Sequence, residues 1–106
     1  MVIDFSALET RLVLEGMITQ KVLPYNEETR NLKRGDVCNI SFNGLQFKDY
    51  CLRIVNVTIT SLAKLSNQDL FDEGFLYKPF FLDWMREKGF EVDDTIIKAD
   101  FELVEN

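Results

Sequence analysis

The sequence predicts an α+β domain: a small, curled, mostly antiparallel sheet or β-barrel with about three short helices packed at its side. Three observations carry this. Asn43-Gly44 separates two runs of strand character and is a strong hairpin signal, because both residues tolerate positive φ in a type I′ turn. The returning run, about Leu45 to Thr60, changes apolar phase midway: Tyr50, Leu52 and Ile54 share one parity, and Val55, Val57 and Ile59 the other. A bulge or bend that curls a sheet leaves this signature. Finally, strands and helices do not alternate as βαβ units, so nothing points to a parallel sheet.

Taken in order, Ser6-Ala7-Leu8-Glu9 has the form of a capping box and opens a helix over residues 6–15, with Leu8 and Leu12 on its stripe, Phe5 as a staple and Gly16 as the stop. Ile18 to Leu23 reads as a short strand with Thr19 and Lys21 on one face. Pro24 to Asn31 is polar and aperiodic, and is expected to be the most mobile loop. After the charged turn closing on Gly35-Asp36, Cys38, Ile40 and Phe42 alternate with Asn39 and Ser41 in a half-buried strand. Ser66 caps a second helix that ends at Gly74. Pro79 starts a third, with Phe81, Trp84, Met85 and Lys88 on one stripe and Gly89 at its end. Asp93-Asp94 is a turn. Ile97, Ala99, Phe101 and Leu103 then face in from a last strand, with Lys98, Asp100 and Glu102 facing out. The expected order is α-β-β-β-α-α-β.

A chain of 106 residues without repeats or linker composition is expected to be one domain, 1–106. No apolar run approaches the roughly 20 residues of a membrane span, and the N-terminus lacks signal-peptide character, so no membrane role and a cytoplasmic location are expected. The chain has no histidine, which removes Ser-His-Asp and Cys-His catalysis and leaves carboxylate, lysine, tyrosine or cysteine as acid or base. With no Cys-x-x-Cys spacing either, neither a metal nor another cofactor is expected, and Cys38 and Cys51 read as buried thiols. Residues 1–60 carry seven Lys/Arg against seven Asp/Glu, while residues 61–106 carry five against eleven, the whole of the −6 net charge. An acidic half repels phosphate, which disfavours tight binding along a nucleic-acid track; Arg30, Lys33 and Arg34 remain as a local basic patch.

Three groups of residues can carry chemistry. Glu73, among the aromatics of Phe71 to Phe75, is a carboxylate whose pKa burial would raise, against the plainer reading of an acidic helix end. Lys21 with Thr19 offers an anion-binding or nucleophilic pair, against that of an edge-strand lysine. Phe80, Phe81 and Trp84 could stack on unpaired bases, but their helical spacing favours core packing.

The chain as a whole resembles the ASCH domain family, with its β-barrel fold of the PUA-like (pseudouridine synthase and archaeosine transglycosylase) kind. The resemblance rests on Leu14-Glu15-Gly16 before a Thr-bearing strand and on Leu32-Lys33-Arg34-Gly35-Asp36-Val37. It rests also on Ile59-Thr60-Ser61-Leu62 followed by Asp69 and Glu73-Gly74-Phe75, and on the Phe80/Phe81/Trp84 helix before the final strand. It implies an RNA-linked role through a cleft between barrel and helices. Some bacterial members deacylate N4-acetylcytidine with a lysine, a threonine and a glutamate, in a pattern Gly-x-Lys-Thr-x-Thr-x-Arg. Here Gly16 and Thr19 match, and Glu73 matches the glutamate. Ile18 stands at the lysine, Lys21 at the second threonine and Leu23 at the arginine.

The sequence thus supports a non-catalytic domain that binds a nucleotide or a short single-stranded RNA element through Thr19, Lys21, Arg34 and Glu73. The alternatives are a small amidohydrolase on an acylated nucleobase, with Lys21 and Glu73 catalytic, and a protein-interaction module using the acidic C-terminal half.

Overall fold

The computed structural model describes residues 1–106. Its strands are β1 (Val2–Phe5), β2 (Gln20–Pro24), β3 (Val37–Phe42), β4 (Leu45–Ser61) and β5 (Thr95–Glu105), and its helices α1 (Ala7–Leu14), α2 (Asn67–Asp72) and α3 (Lys78–Glu87). The strands form one sheet in the order β1-β3-β4-β5-β2. The sheet curls into a half-barrel that stays open between its two edges, β1 and β2. No helix is long and apolar enough to cross a membrane.

Two expectations are corrected near the N-terminus. The first residues form a strand, β1, where only a helix and its staple were expected. β1 pairs with β3 in parallel, Val2 opposite Asn39 through Phe5 opposite Phe42, while every other pairing is antiparallel. Four residues are too few for alternation to stand out, and the energy comes from the core: Ile3 and Phe5 are fully buried. Leu8, expected on the buried stripe of α1, is 74% exposed, and Val13 is the helix's buried residue.

The caps form as read. The Ser6 hydroxyl accepts from the Glu9 amide at 3.3 Å, and Glu9 Oε1 accepts from the Ser6 amide at 2.9 Å. Ser66 and Asp69 repeat the arrangement at α2. Asn43 takes φ 52° and Gly44 φ 86°, as the tight β3–β4 turn requires. The phase change in β4 is a bulge at Val55: Ile54 pairs with Phe101 and Asn56 with Asp100. The extra residue resets the alternation, so Val57 packs against the same core as Ile54 instead of crossing to the other face. A larger irregularity between β3 and β4 takes the partner of Asn39, Cys51, to that of Ile40, Phe47. Asn106 fastens the bulged-out segment through the carbonyls of Lys48 and Asp49.

The sheet is covered on both faces. Its concave face, with Val13 of α1, Ile18 and Leu32, holds one core, including Ile3, Phe5, Ile40, Leu52, Ile54, Ile97 and Phe101. On the other face Val22 and Ile96 pack against Leu62, Leu65, Leu70, Phe81 and Met85, which places α2 and α3 over β2 and β5. Lys98 and Asp100, expected to face water, are therefore half-buried under α2, where Lys98 Nζ meets Asp69 Oδ1 at 2.8 Å. The loop from Pro24 to Asn31 is pinned from within. The buried Thr29 hydroxyl donates to the Pro24 carbonyl, and Asn26 Oδ1 accepts from the amides of Glu28 and Thr29.

Candidate functional site

The open seam between β1 and β2 is roofed by the helices and leaves a cleft of about 720 Å³. That lies within the roughly 300–1,000 Å³ usual for small-ligand sites. One wall is apolar and largely aromatic: Phe75 after α2, Phe81, Trp84 and Met85 of α3, and Phe90. The other is polar, with Asp4 of β1, Glu9 of α1, Lys21 of β2, Glu73 capping the end of α2 and Lys88 capping the end of α3.

Each polar side chain arrives for a local reason. Lys21 alternates with the buried Val22, so it points to the concave side, its Nζ 4.9 Å from the centre of the Phe5 ring. Glu73 is carried in by the α2 terminus, where Gly74 turns the chain at φ 91° and sits so close to Ile18 that a Cβ there would lie 3.1 Å from Ile18 Cγ1. Lys88 follows Trp84 by one helical turn and lays its Nζ 4.6 Å from the indole centre.

The charges form one network. Glu9 Oε2 accepts from Lys21 Nζ at 3.3 Å, and Glu9 Oε1 lies 3.9 Å from Lys88 Nζ. Burial raises the Glu9 carboxyl, but Lys21, the Ser6 amide and Lys88 together hold it below the ordinary value. Glu73 is 7% exposed, and burial pushes its pKa up to about 8, against the opposing pull of Lys21 and of the Val22 amide. A carboxyl held there is mostly protonated at neutral pH and is then able to donate a hydrogen bond. Burial and the neighbouring Lys21 lower the pKa of Lys88. Asp4 is held low by the Ser41 hydroxyl and then the Gly44 amide.

Of the residues expected to line a cleft, the structure brings together Lys21 and Glu73. Thr19 is exposed outside the cleft, its backbone tying elements together: its amide donates to the Asp72 carbonyl and its carbonyl accepts from the Phe101 amide, both at 2.9 Å. Arg34 is exposed on the turn before β3, with Arg30 and Lys33 exposed nearby in sequence, and none of the three lines the cleft. The aromatic trio divides: Phe81, a core residue, and Trp84 line the cleft, and Phe80 is 67% exposed, edge-on to Tyr77. Ile18 is buried in the concave core, with no amine where the ASCH pattern has its lysine.

Sequence reasoning missed Asp4, Glu9 and Lys88 as cleft residues. Glu9 was fully accounted for by its capping role, so its second role left no separate trace. Lys88 did leave one: a lysine in the otherwise apolar stripe of Phe81, Trp84 and Met85.

Neither a family model nor a curated protein matches the sequence. Among solved structures, the fold is similar to that of protein EF3133 from Enterococcus faecalis V583, described as DUF984, at 22% identity and a TM-score of 0.70 over 90% of this chain and 69% of that one. An ASCH domain from Lactobacillus crispatus JV V101 matches at 17% identity and a TM-score of 0.66, over 93% and 72%. The hypothetical protein PH0355 matches at 16% and 0.73, over 98% and 100%. Likeness at such identities is likeness of backbone architecture: the chain shares the fold of the ASCH domain structure and of the other two.

Proposed function

We propose that the cleft binds one base of a nucleotide or of a short single-stranded RNA element and does no chemistry on it. The observation that carries this reading is the buried Glu73 carboxyl set in the same cleft as Lys21 and the aromatic wall of Phe75 and Trp84. A flat heterocycle stacked on the aromatic wall would present its ring nitrogen and carbonyl acceptors to these two donors. The two cleft lysines are balanced by two carboxylates, Glu9 beside them and Asp4 at the cleft's edge. Phosphates therefore gain little inside and belong at the mouth, in keeping with the acidic C-terminal half. Lys21, engaged by Glu9, serves as an anchor rather than a nucleophile.

One observation favours a second reading, an amidohydrolase acting on an acylated nucleobase: a carboxyl titrating at about 8 suits proton transfer near neutral pH. An amide-shift NMR titration with cytidine, N4-acetylcytidine and short single-stranded RNAs tests both. Binding predicts shifts clustered at Lys21, Val22, Glu73, Trp84 and Lys88, with a change in emission from Trp84, the chain's one tryptophan. Loss of the acetyl signal over hours promotes the hydrolase. No shift with any of these ligands overturns the binding reading and leaves a protein-contact module ahead.

A further inference from the structure

Glu9 makes two kinds of contact at once. Its Oε1 closes the capping box of α1 through the Ser6 amide at 2.9 Å and lies 3.9 Å from Lys88 Nζ, while its Oε2 accepts from Lys21 Nζ at 3.3 Å. Each lysine is thereby fixed between this carboxylate and an aromatic face, Lys21 at Phe5 and Lys88 at Trp84. Four elements converge on it: β1 through Phe5, α1 through Glu9, β2 through Lys21, and α3 through Trp84 and Lys88. The cap sets where the carboxylate stands, and the carboxylate sets where both ammonium groups stand.

We infer that Glu9 is the positioning residue of the cleft: anchored by the helix cap, it holds Lys21 and Lys88 on their aromatic faces and keeps Lys21 from pairing with the Glu73 carboxyl. Without its charge the two ammonium groups repel each other and Lys21 is released toward the remaining cleft carboxyls, Glu73 and Asp4. The charged groups acting on Glu73 are Lys21 from β2, Glu9 from α1 and Lys88 from α3. Asp4 of β1 acts on both lysines from the cleft's other edge. Loss of the Glu9 anion and release of Lys21 both make Glu73 easier to ionise, so their effects add.

The inference concerns the protein alone and is tested without ligand, by following the Glu73 side-chain carboxyl carbon through a pH titration by NMR. Glu9→Gln keeps an oxygen for the Ser6 amide and removes the charge. The Glu73 midpoint is expected to fall by about one unit, and Trp84 emission to change as Lys88 leaves the indole. Ser6→Ala removes only the hydroxyl half of the cap, keeping the charge and the Ser6 amide that holds Glu9 Oε1, and is expected to leave the midpoint where it was. An unchanged midpoint in Glu9→Gln overturns the inference, as does an equal shift in Ser6→Ala, which would trace the effect to the helix. Should Glu9→Gln be too unstable to titrate, Glu9→Asp draws the charge back by one methylene. A smaller fall is then expected, and a midpoint at or above wild type overturns the inference.

Discussion

Replacing Glu73 by Gln tests the electrostatics of the cleft through stability alone. In the folded protein burial raises this carboxyl from an ordinary value of 4.5 to about 8. Between those two values the unfolded chain gives up the proton and the folded one keeps it. Stability therefore falls as pH rises through this window and levels off above the folded value. Each full unit is worth about 1.4 kcal/mol, less at the two ends of the window, so from about pH 5 to about pH 8 the wild type loses roughly 3.5 kcal/mol on account of Glu73. At 7% exposure little of this is screened by solvent. Glutamine matches the shape and does not titrate. Urea unfolding followed by Trp84 emission gives ΔG for both proteins across that range. The stability of Glu73→Gln minus that of wild type is expected to climb by about 3.5 kcal/mol and then flatten. Taking the difference cancels the other groups, including Asp4, Glu9 and Asp69, whose lowered values make stability fall in acid instead. A difference that stays constant across the range would mean that Glu73 ionises like a solvated carboxyl, and the proton-carrying donor would be refuted.

Two further outcomes follow from the backbone. Gly74→Ala is expected to cost more stability than Gly89→Ala. Both residues have positive φ, 91° and 94°, a strain of about 1–2 kcal/mol for alanine, but only at Gly74 does the new Cβ also meet Ile18, at 3.1 Å. Equal losses in parallel urea melts would show that Ile18 moves aside freely. Cys38 sits opposite Leu52, and Cys51 opposite Asn39, so the two thiols occupy alternate positions and point to opposite faces of the sheet. A mild thiol oxidant should leave two free thiols per chain when counted in denaturant, and their loss within the monomer would contradict the β3–β4 register.

What the sequence determined by itself is local. Capping chemistry at Ser6 and Ser66, the Asn43-Gly44 turn, the proline start of α3 and the alternation of β5 each depend on a few consecutive residues, and each appears in the structure. The phase change in β4 marked a bulge because the period of a strand is fixed at two, although only the pairing with β5 showed which face Val57 takes. What only the tertiary structure decided concerns partners far apart in the chain. β1 exists because β3, more than thirty residues on, offers it an edge and the core takes Ile3 and Phe5. The cleft exists because β1 and β2 are the two edges of a sheet that does not close, and because α2 and α3 fold over that seam. Lys21 and Glu73 could be singled out by residue type, but not Glu9, which reads as a complete helix cap with no surplus. Its second bond is made to a strand that arrives only when the sheet curls, and neither spacing nor composition records such a contact.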